Sequence, residues 1–267
     1  RSRYFDCEEG IQMEKEIILI LFGLIIGSFL NVVISRLPVK KSIVKPGSCC
    51  PSCGAPIKFY DNIPIISYIL LGGKCRKCKT AISIRYPLIE AFTAFSFWLA
   101  YIYFGADLIY TAFAVLFLCL LISLALIDLV YMILPDELTL GGAVVFLVYA
   151  FFNPQVAVVS ALAAACGSAA IFTALYFFYL KVKKIEGLGF GDVKMMLLLG
   201  LFLGLDKLLV AILISSFSGL LVGLFFILFK GKNLKFKLPF GTFLSLGSYV
   251  SLFWGKEIFR LIQTLYK

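Results

Sequence analysis

The stretch ALIDLVYMILPD at residues 125–136 places an acidic residue, Asp128, at the end of an apolar run that is long enough to cross a membrane. A second acid, Asp136, follows directly after Pro135. Further along, GLGFGDVKMM places Asp192 at the start of another apolar run. A carboxylate costs roughly 2.5–3.5 kcal/mol at the middle of a bilayer and less near its surface. Two acids at such positions, each beside a turn, predict a site that uses a pair of carboxylates.

The composition places the chain in a membrane. Hydrophobic residues make up 61% of the sequence and charged residues only 15%, and the mean hydropathy of +1.00 is far above that of a soluble domain. The net charge of +10 would suggest nucleic acid for a soluble protein. Here the cations lie in blocks between apolar runs, where they orient a membrane protein. The expected partner is therefore a lipid bilayer, with no nucleic acid. Histidine is absent, which excludes imidazole catalysis.

Eight apolar runs of about span length predict an all-α polytopic membrane protein with about eight transmembrane helices. The runs are residues 17–34, 88–104, 108–127, 138–152, 156–180, 193–204, 207–229 and 239–259. The run at 193–204 is short for a hydrocarbon core of about 30 Å.

These runs divide the chain into four predicted parts. Residues 1–12 are interpreted as a non-native remnant or a periplasmic tail. A first transmembrane helix follows at 13–35, then a cytoplasmic four-cysteine domain at 36–87 and a transmembrane core at 88–267.

Basic residues are concentrated in the loops on one side of the predicted bundle. Ten Lys and Arg lie in residues 35–87, four in 181–194 and four in 230–237, whereas the opposite loops carry only Lys207. By the positive-inside rule, the basic loops are cytoplasmic and both termini are outside. The two turns that carry the acidic residues then lie on the cytoplasmic side, at the same membrane depth.

Two C-x-x-C pairs between the first and second spans predict a metal site, with Cys50, Cys53, Cys75 and Cys78 as the ligands. Two such knuckles close a tetrahedral ion from opposite sides, as in structural zinc sites. A segment of about 50 residues needs such a staple to fold. Two disulfides are the alternative, which a reducing cytoplasm argues against. Four thiolates leave no open coordination position, so the Zn²⁺ is expected to be structural.

Peptide hydrolysis is a reaction that two carboxylates can perform without a histidine. Neighbouring carboxylates share one proton, so the ionised one takes a proton from water while the protonated one donates to the scissile carbonyl. Gly189 and Gly191 would let a substrate backbone approach Asp192. Alternatively, Asp192 and Asp136 cap the helices that follow them. Asp128 is harder to explain as a cap, because apolar residues precede and follow it.

Several ordered segments together resemble the bacterial type IV prepilin peptidases, aspartic peptidases of family A24 that are also N-methyltransferases. The segments are GSFLNVVISRLP, CPSC, DNIPIISYILLGGKCRKC, SIRYPLIE, ALIDLVYMILPD and GLGFGDVK. The resemblance implies that Asp128 and Asp192 are the catalytic residues and that Asp136 is a motif residue that caps a helix. Residues 88–267 would then form the peptidase core.

The resemblance also implies the substrates and the location. The substrates would be prepilins or pseudopilins of type IV pilus and type II secretion systems, each with a short basic leader. Cleavage would follow a glycine at the cytoplasmic face of the bacterial inner membrane. The new N-terminal residue, usually Phe, would then be methylated from S-adenosylmethionine. In this family the cysteine domain is linked to methylation more than to cleavage.

Four further residues are candidates for supporting roles. Lys194 is hypothesised to meet an acidic residue of the substrate or to bias the aspartate pair. Glu90 either pairs with an arginine such as Arg36 or Arg85, or it contacts a basic substrate segment or a second active centre. No dinucleotide-binding motif marks a site for S-adenosylmethionine. Its predicted neighbourhood is therefore the insert, residues 27–36 and Glu90.

The sequence leaves two other functions open. A transporter or channel with intramembrane acids and a zinc-held loop would show ion flux without proteolysis. A preflagellin-type peptidase would resemble this chain around the aspartates but lack the four-cysteine insert. The presence of the insert favours the prepilin class.

Overall fold

The computed structural model describes residues 2–153, 155–183, 189–230 and 238–265. Within these ranges the regular structure is helical, with two isolated β-bridges and no strand. This confirms the all-α prediction. The chain forms two compact units, Arg1–Cys119 and Leu120–Lys267.

The first unit is built on two long helices that pack against each other, α1 (Ser2–Arg36) and α3 (Arg85–Phe104). Glycines on α1 make the close contact possible, because a Cβ atom on Gly23 or Gly27 would lie 2.6 or 2.7 Å from a Cα atom of α3. Small residues serve this purpose where helices pack in lipid. The buried Asn31 adds a polar contact by donating its side-chain N–H to the carbonyl of Tyr86 at 3.2 Å.

The segment between α1 and α3 consists mainly of turns around the short helix α2 (Ile66–Leu70). Two 3-10 turns, Leu37–Val39 and Phe59–Asn62, lie on the N-terminal side of α2. The guanidinium of Arg76 donates to the Asp61 carboxylate at 2.6 Å, and this holds the pKa of that carboxyl below its ordinary value. The ion pair ties the loop before α2 to the loop after it.

The second unit begins within α4 (Leu108–Tyr131) and continues through α5 (Asp136–Ala150), α6 (Val158–Phe178), α7 (Phe190–Lys230) and α8 (Phe240–Leu265). A π-helical turn, Tyr179–Lys183, follows α6 directly. Helix α7 packs against α5, α6 and α8. Its inward side supplies much of the core of the unit, with Val193, Met195, Met196, Leu198, Leu199 and Phe202 buried.

The runs at 193–204 and 207–229, which the sequence suggests as two spans, follow each other without a loop in α7. Two helical segments meet there at a kink, where Gly204 has φ 71° and ψ −179°. Glycine suits this position, because its φ lies in the left-handed region and a Cβ atom would lie 2.6 Å from the side chain of Val156. The hydroxyl of Ser160 accepts the N–H of Leu205 at 3.2 Å, next to the kink.

Five segments of the described residues are long and apolar enough to cross a membrane: Gln12–Val39, Arg85–Phe104, Leu108–Tyr131, Val158–Val182 and Phe190–Phe229. The sequence predicts about eight spans. Part of the difference is the joining of two runs in α7. In addition, α5 has only 15 residues, and α8 carries Lys256, Glu257 and Arg260 in its second half. The chain is thus a multi-pass membrane protein by length and composition, and the count of eight stays a prediction.

Candidate active site and four-cysteine cluster

Asp128 lies in the last turn of α4 and is buried, with 6% of its surface exposed. Its Oδ2 atom accepts two hydrogen bonds from one residue, Thr242: the backbone N–H at 2.8 Å and the hydroxyl at 3.2 Å. Thr242 belongs to the first turn of α8, where backbone N–H groups have no partner within the helix. The start of α8 therefore supplies the donors that the Asp128 carboxylate needs in an apolar setting.

Asp192 lies in the first turn of α7 and is equally buried, also with 6% exposed. Its Oδ2 atom accepts the N–H of Gly189 at 3.2 Å, just before the helix begins. This contact caps the start of α7, as expected if Asp192 has a capping role. The Asp192 carboxylate is nevertheless close enough to Asp128 to interact with it electrostatically. The structure thus brings the two predicted aspartates together.

Leu134 and two glycines enclose the pair. A Cβ atom on Gly241 would lie 3.0 Å from Oδ2 of Asp128 and 3.0 Å from the Leu134 side chain. A Cβ atom on Gly191 would lie 3.0 Å from Leu134 as well. A side chain at either glycine would therefore push against Leu134, in the segment before α5.

Asp136 differs from the other two aspartates because its side chain is 59% exposed. It is the first residue of α5, and Pro135 occupies the N-cap position. The prediction that Asp136 caps this helix through its side chain is therefore wrong. Its carboxylate accepts the ammonium of Lys194 at 2.6 Å, and that ammonium also lies 5.3 Å from the centre of the Phe190 ring. This exposed ion pair lies two residues from Asp192 along α7.

The four predicted metal ligands form one cluster in the first unit. The Sγ atoms of Cys50, Cys53, Cys75 and Cys78 all lie within 4.8 Å of one another. The Sγ atoms of Cys50 and Cys78 are 3.7 Å apart, close to the roughly 3.8 Å edge of a tetrahedron with Zn–S bonds of about 2.3 Å. Cys50, Cys53, Cys75 and Cys78 are all free thiols, so the disulfide alternative is not seen among these four residues.

The two knuckles of the cluster have the same backbone geometry. In each, the N–H of the first cysteine donates to the carbonyl five residues later at 2.9 Å. The residue after the second cysteine has a left-handed conformation in both, with φ 67° at Gly54 and φ 59° at Lys79. The spacing of the cysteines therefore produces two matching turns that face each other.

Hydrogen bonds at the cluster favour the thiolate form of two ligands. The side-chain hydroxyl and the backbone N–H of Thr80 lower the pKa of Cys78 to about 6. The backbone N–H groups of Cys53 and Ser52 lower the pKa of Cys50. Although the backbone N–H of Ala55 lowers it, burial and the neighbouring thiols raise the pKa of Cys53 to about 11. The thiolate is the form that binds a metal ion. The spacing of the four sulfurs therefore carries the fit to a thiophilic divalent ion.

Glu90 is a buried acid near the start of α3 in the first unit. Its Oε2 atom accepts the backbone N–H of Ile65 at 2.8 Å, and the carboxylate also interacts with the hydroxyl of Ser28. Neither ion pair found among the described residues involves Glu90, so the pairing with Arg36 or Arg85 is not seen there. Arg85 is the first residue of α3.

Arg36 instead holds a loop against the end of α1. Its guanidinium donates to the carbonyls of Ser42, Pro46 and Gly47 at 3.1, 2.7 and 3.1 Å. A cavity of about 350 Å³ lies between this loop and α1, with Ser28, the partner of Glu90, in its wall. The predicted neighbourhood of residues 27–36 therefore borders a cavity. Glu90 does not line this cavity and is linked to it through Ser28.

Comparison with known sequences covers both units. The Bacterial Peptidase A24 N-terminal domain matches residues 21–104, and the Type IV leader peptidase family matches residues 115–224. A protein of Aeromonas hydrophila named "Prepilin leader peptidase/N-methyltransferase" is 36% identical over 272 residues, 91% of this chain and 92% of that protein. The chain belongs to the type IV leader peptidase family.

Other members of the family show the same level of similarity. Proteins of the same name from Legionella pneumophila and Pseudomonas aeruginosa are each 35% identical, over 89% and 90% of this chain and 91% of each relative. No solved structure matches the chain. Family membership decides against the transporter alternative, and the match to the N-terminal domain decides against the preflagellin alternative.

Gly241 and Thr242 also lie at the candidate site, and the sequence does not predict them there. They lie in the segment PFGT at residues 239–242, outside both matched ranges. Proline and glycine before an apolar run indicate the start of a helix. They do not indicate which carboxylate that helix start faces, so only the packing of α8 reveals the contact.

Proposed function

We propose that this member of the family cleaves the basic leader of type IV prepilins or pseudopilins at Asp128 and Asp192, and then methylates the new N-terminal residue. The observation that carries the peptidase part is the burial of two interacting carboxylates at the ends of α4 and α7. Each carboxylate lies beside a glycine whose missing Cβ leaves space, Gly241 at Asp128 and Gly189 at Asp192. The space beside each carboxylate suits the approach of an extended peptide backbone.

The proposed reaction needs one shared proton and one water molecule. One carboxylate takes a proton from water while the other donates a hydrogen bond to the scissile carbonyl. Burial strengthens both interactions, because surrounding water is excluded. The pair Asp136–Lys194 lies on the exposed side of the site, and we assign it to recognition of a charged residue near the cleavage point.

The proposed substrate follows from the predicted orientation. The basic loops place the aspartates at the cytoplasmic edge of the bacterial inner membrane. A prepilin whose apolar helix lies in the bilayer would present the junction after its basic leader at that depth. Cleavage after glycine is expected, with Phe as the usual new N-terminus.

We assign a structural Zn²⁺ to the four cysteines. Closely spaced sulfurs, matching knuckles and a lowered thiol pKa at Cys78 and Cys50 support this assignment. With all four positions of a tetrahedron filled by Cys50, Cys53, Cys75 and Cys78, the metal would hold the insert in shape and take no part in chemistry.

We place methyl transfer in the first unit, beside Glu90. S-adenosylmethionine supplies the methyl group when it is bound, and the cavity of about 350 Å³ is within the usual range for a ligand of that size. The sulfonium is cationic, and Glu90 is a buried carboxylate that contacts Ser28 in the wall of this space. Glu90 would also hold the proton that the new amino terminus releases. Arg36 would contribute by holding the loop that contains Ser42, Pro46 and Gly47. Arg85 would contribute as the first residue of α3.

The test is a cleavage assay on a prepilin with a Gly–Phe junction, using the protein in liposomes. We expect the wild-type protein to cut and both Asp128→Asn and Asp192→Asn to lose at least a thousandfold in rate. Both variants should keep the wild-type midpoint of thermal unfolding in detergent, which shows that the unit carrying the aspartates is folded. Near-normal cleavage by either variant would remove that residue from the catalytic pair.

A further inference from the structure

The two carboxylates of the candidate site are not equivalent in their hydrogen bonds. Oδ2 of Asp128 accepts the backbone N–H of Thr242 at 2.8 Å and lies 3.2 Å from its hydroxyl. A further interaction comes from the backbone N–H of Gly241. Oδ2 of Asp192 accepts one N–H, from Gly189, at 3.2 Å among the described residues. In the part of the chain that the structure describes, the donors around the pair are therefore concentrated on Asp128.

This difference decides which carboxylate carries the negative charge. Donors stabilise an ionised carboxylate much more than a neutral one, because charge-assisted hydrogen bonds are stronger. The groups that face Asp128 are Asp192 on α7, Thr242 and Gly241 on α8, and Leu134 before α5. The C-terminal end of α4 disfavours an anion at Asp128, and the N-terminal end of α7 favours one at Asp192. Each of these dipole effects is weaker than two direct hydrogen bonds to a charged group.

We propose that Thr242 is a positioning residue that divides the roles of the pair: Asp128 is the ionised base and Asp192 is the protonated acid. This assignment rests on the proposed catalytic function of the two aspartates. In the first step Asp128 takes a proton from water, the water oxygen bonds to the scissile carbon, and Asp192 gives its proton to the carbonyl oxygen. In the second step Asp128 gives its proton to the leaving nitrogen as the C–N bond breaks. A hydroxyl of the intermediate then returns a proton to Asp192, so both residues regain their starting states.

The hydroxyl of Thr242 can follow this cycle because it has two acceptors and a single proton. Its Oγ1 atom lies 3.0 Å from the carbonyl of Ala125 and 3.2 Å from Oδ2 of Asp128. When Asp128 is ionised, the hydroxyl donates to it. When Asp128 holds the proton taken from water, the hydroxyl donates to Ala125 instead. The backbone N–H of Thr242 remains a fixed donor throughout.

The experiment is the pH profile of kcat/KM for prepilin cleavage by detergent-solubilised protein, measured for wild type, Thr242→Val and Thr242→Ser. Loss of the hydroxyl destabilises the ionised base, so in Thr242→Val the acidic limb should move up by about one pH unit while the alkaline limb stays in place. Thr242→Ser keeps the hydroxyl and should return the acidic limb to its wild-type position. Thr173→Val is the matched control, because the hydroxyl of Thr173 donates to the carbonyl of Ala169 within α6.

Three results would overturn the assignment: a shift of the alkaline limb alone, a loss of rate with both limbs in place, or the same profile for the Val and Ser variants. The midpoint of thermal unfolding of the detergent-solubilised protein reports whether each variant is folded. Should Thr242→Val fail that check, Thr242→Ala removes the same hydroxyl with less bulk and must give the same shift. Failure of the catalytic pair itself would be distinct, since Asp128→Asn or Asp192→Asn would then still cleave.

Discussion

The four-cysteine cluster and the aspartate pair differ in how far apart their parts lie in the sequence. All four thiols come from residues 50–78, and each knuckle is closed by its own turn. The aspartate site combines the end of α4 with the starts of α7 and α8, and Thr242 lies 114 residues from the carboxylate that it contacts. The first site thus depends on local turns and the second on helix packing, so changes at each should have separable effects.

Apart from the loss expected on replacing either aspartate, the largest effect should come from removing the metal ligands. The variant Cys50→Ser/Cys75→Ser leaves two thiols, which cannot close a tetrahedral site, so zinc content should fall and methylation should drop by at least about a hundredfold. Cleavage should stay within about threefold of wild type. Zinc content, methyl transfer to a cleaved pilin and prepilin cleavage would be measured on the same preparation.

Cys166→Ser is the control for this variant, because Cys166 lies on α6 outside the cluster. It should keep zinc and both activities. An equal loss of cleavage and methylation in the double variant would mean that the cluster supports the whole fold, and the proposed separation would be wrong.

The next largest effect should follow a change at Gly241. In Gly241→Ala the new Cβ would press on Oδ2 of Asp128 and on the Leu134 side chain, both 3.0 Å away. Displacing a catalytic group in this way costs about tenfold to a hundredfold in rate. We expect that loss in the kcat of prepilin cleavage, with methylation unchanged.

Two further variants sharpen the interpretation of that result. Gly219→Ala is the matched control, because its Cβ would make an ordinary contact of 3.6 Å with the Phe243 ring. Leu134→Ala combined with Gly241→Ala should recover part of the rate by making room. Full activity of Gly241→Ala alone would show that this close contact has no part in holding Asp128.

A smaller effect is expected at the exposed ion pair. Lys194→Ala should raise KM for prepilin about three- to tenfold and leave kcat unchanged, if Lys194 meets an acidic residue of the substrate. A prepilin in which that acidic residue is neutral should not distinguish the variant from wild type. An unchanged KM for both substrates would show that Lys194 does not recognise the substrate. Its role would then be limited to the ion pair with Asp136, and an exposed pair contributes about 0–1 kcal/mol to stability.

The smallest effect concerns the two knuckles themselves. Gly54 and Lys79 have the same left-handed backbone, which costs a residue with a side chain roughly 1–2 kcal/mol. Gly54→Ala should weaken zinc binding by several-fold, whereas Lys79→Gly should leave it equal or slightly tighter. Competition with a chromogenic chelator would measure both. Weaker binding by Lys79→Gly would show that the lysine side chain contributes more than its backbone strain costs.

The same difference in sequence distance explains what could be predicted. The cysteine ligands and the geometry of their turns follow from spacing alone, because all interactions lie within a few residues. The sequence predicts Asp128 and Asp192 as a pair, because a carboxylate at the edge of an apolar run costs free energy and therefore indicates a function. Their donor Thr242 could not be predicted, since a backbone N–H at a helix start has no residue-type signature.

The kink at Gly204 and the role of Asp136 also could not be predicted, because both depend on contacts that the sequence does not show. Gly204 could equally begin a loop or kink a continuous helix, and only the contact with Val156 on a neighbouring segment decides between them. Asp136 looked like a helix cap after a turn. Because Pro135 takes the N-cap position, Asp136 is left exposed and pairs with Lys194.

The contact between Thr242 and Asp128 also has a consequence for how the enzyme is made. The ribosome completes α4 and α7 before it reaches α8, so both acids enter the bilayer ahead of the donor that holds Asp128 ionised. In that interval the growing chain has its two carboxylates but no defined base. Proteolysis would therefore begin only after α8 has inserted, and nearby membrane proteins would be spared from a half-built protease.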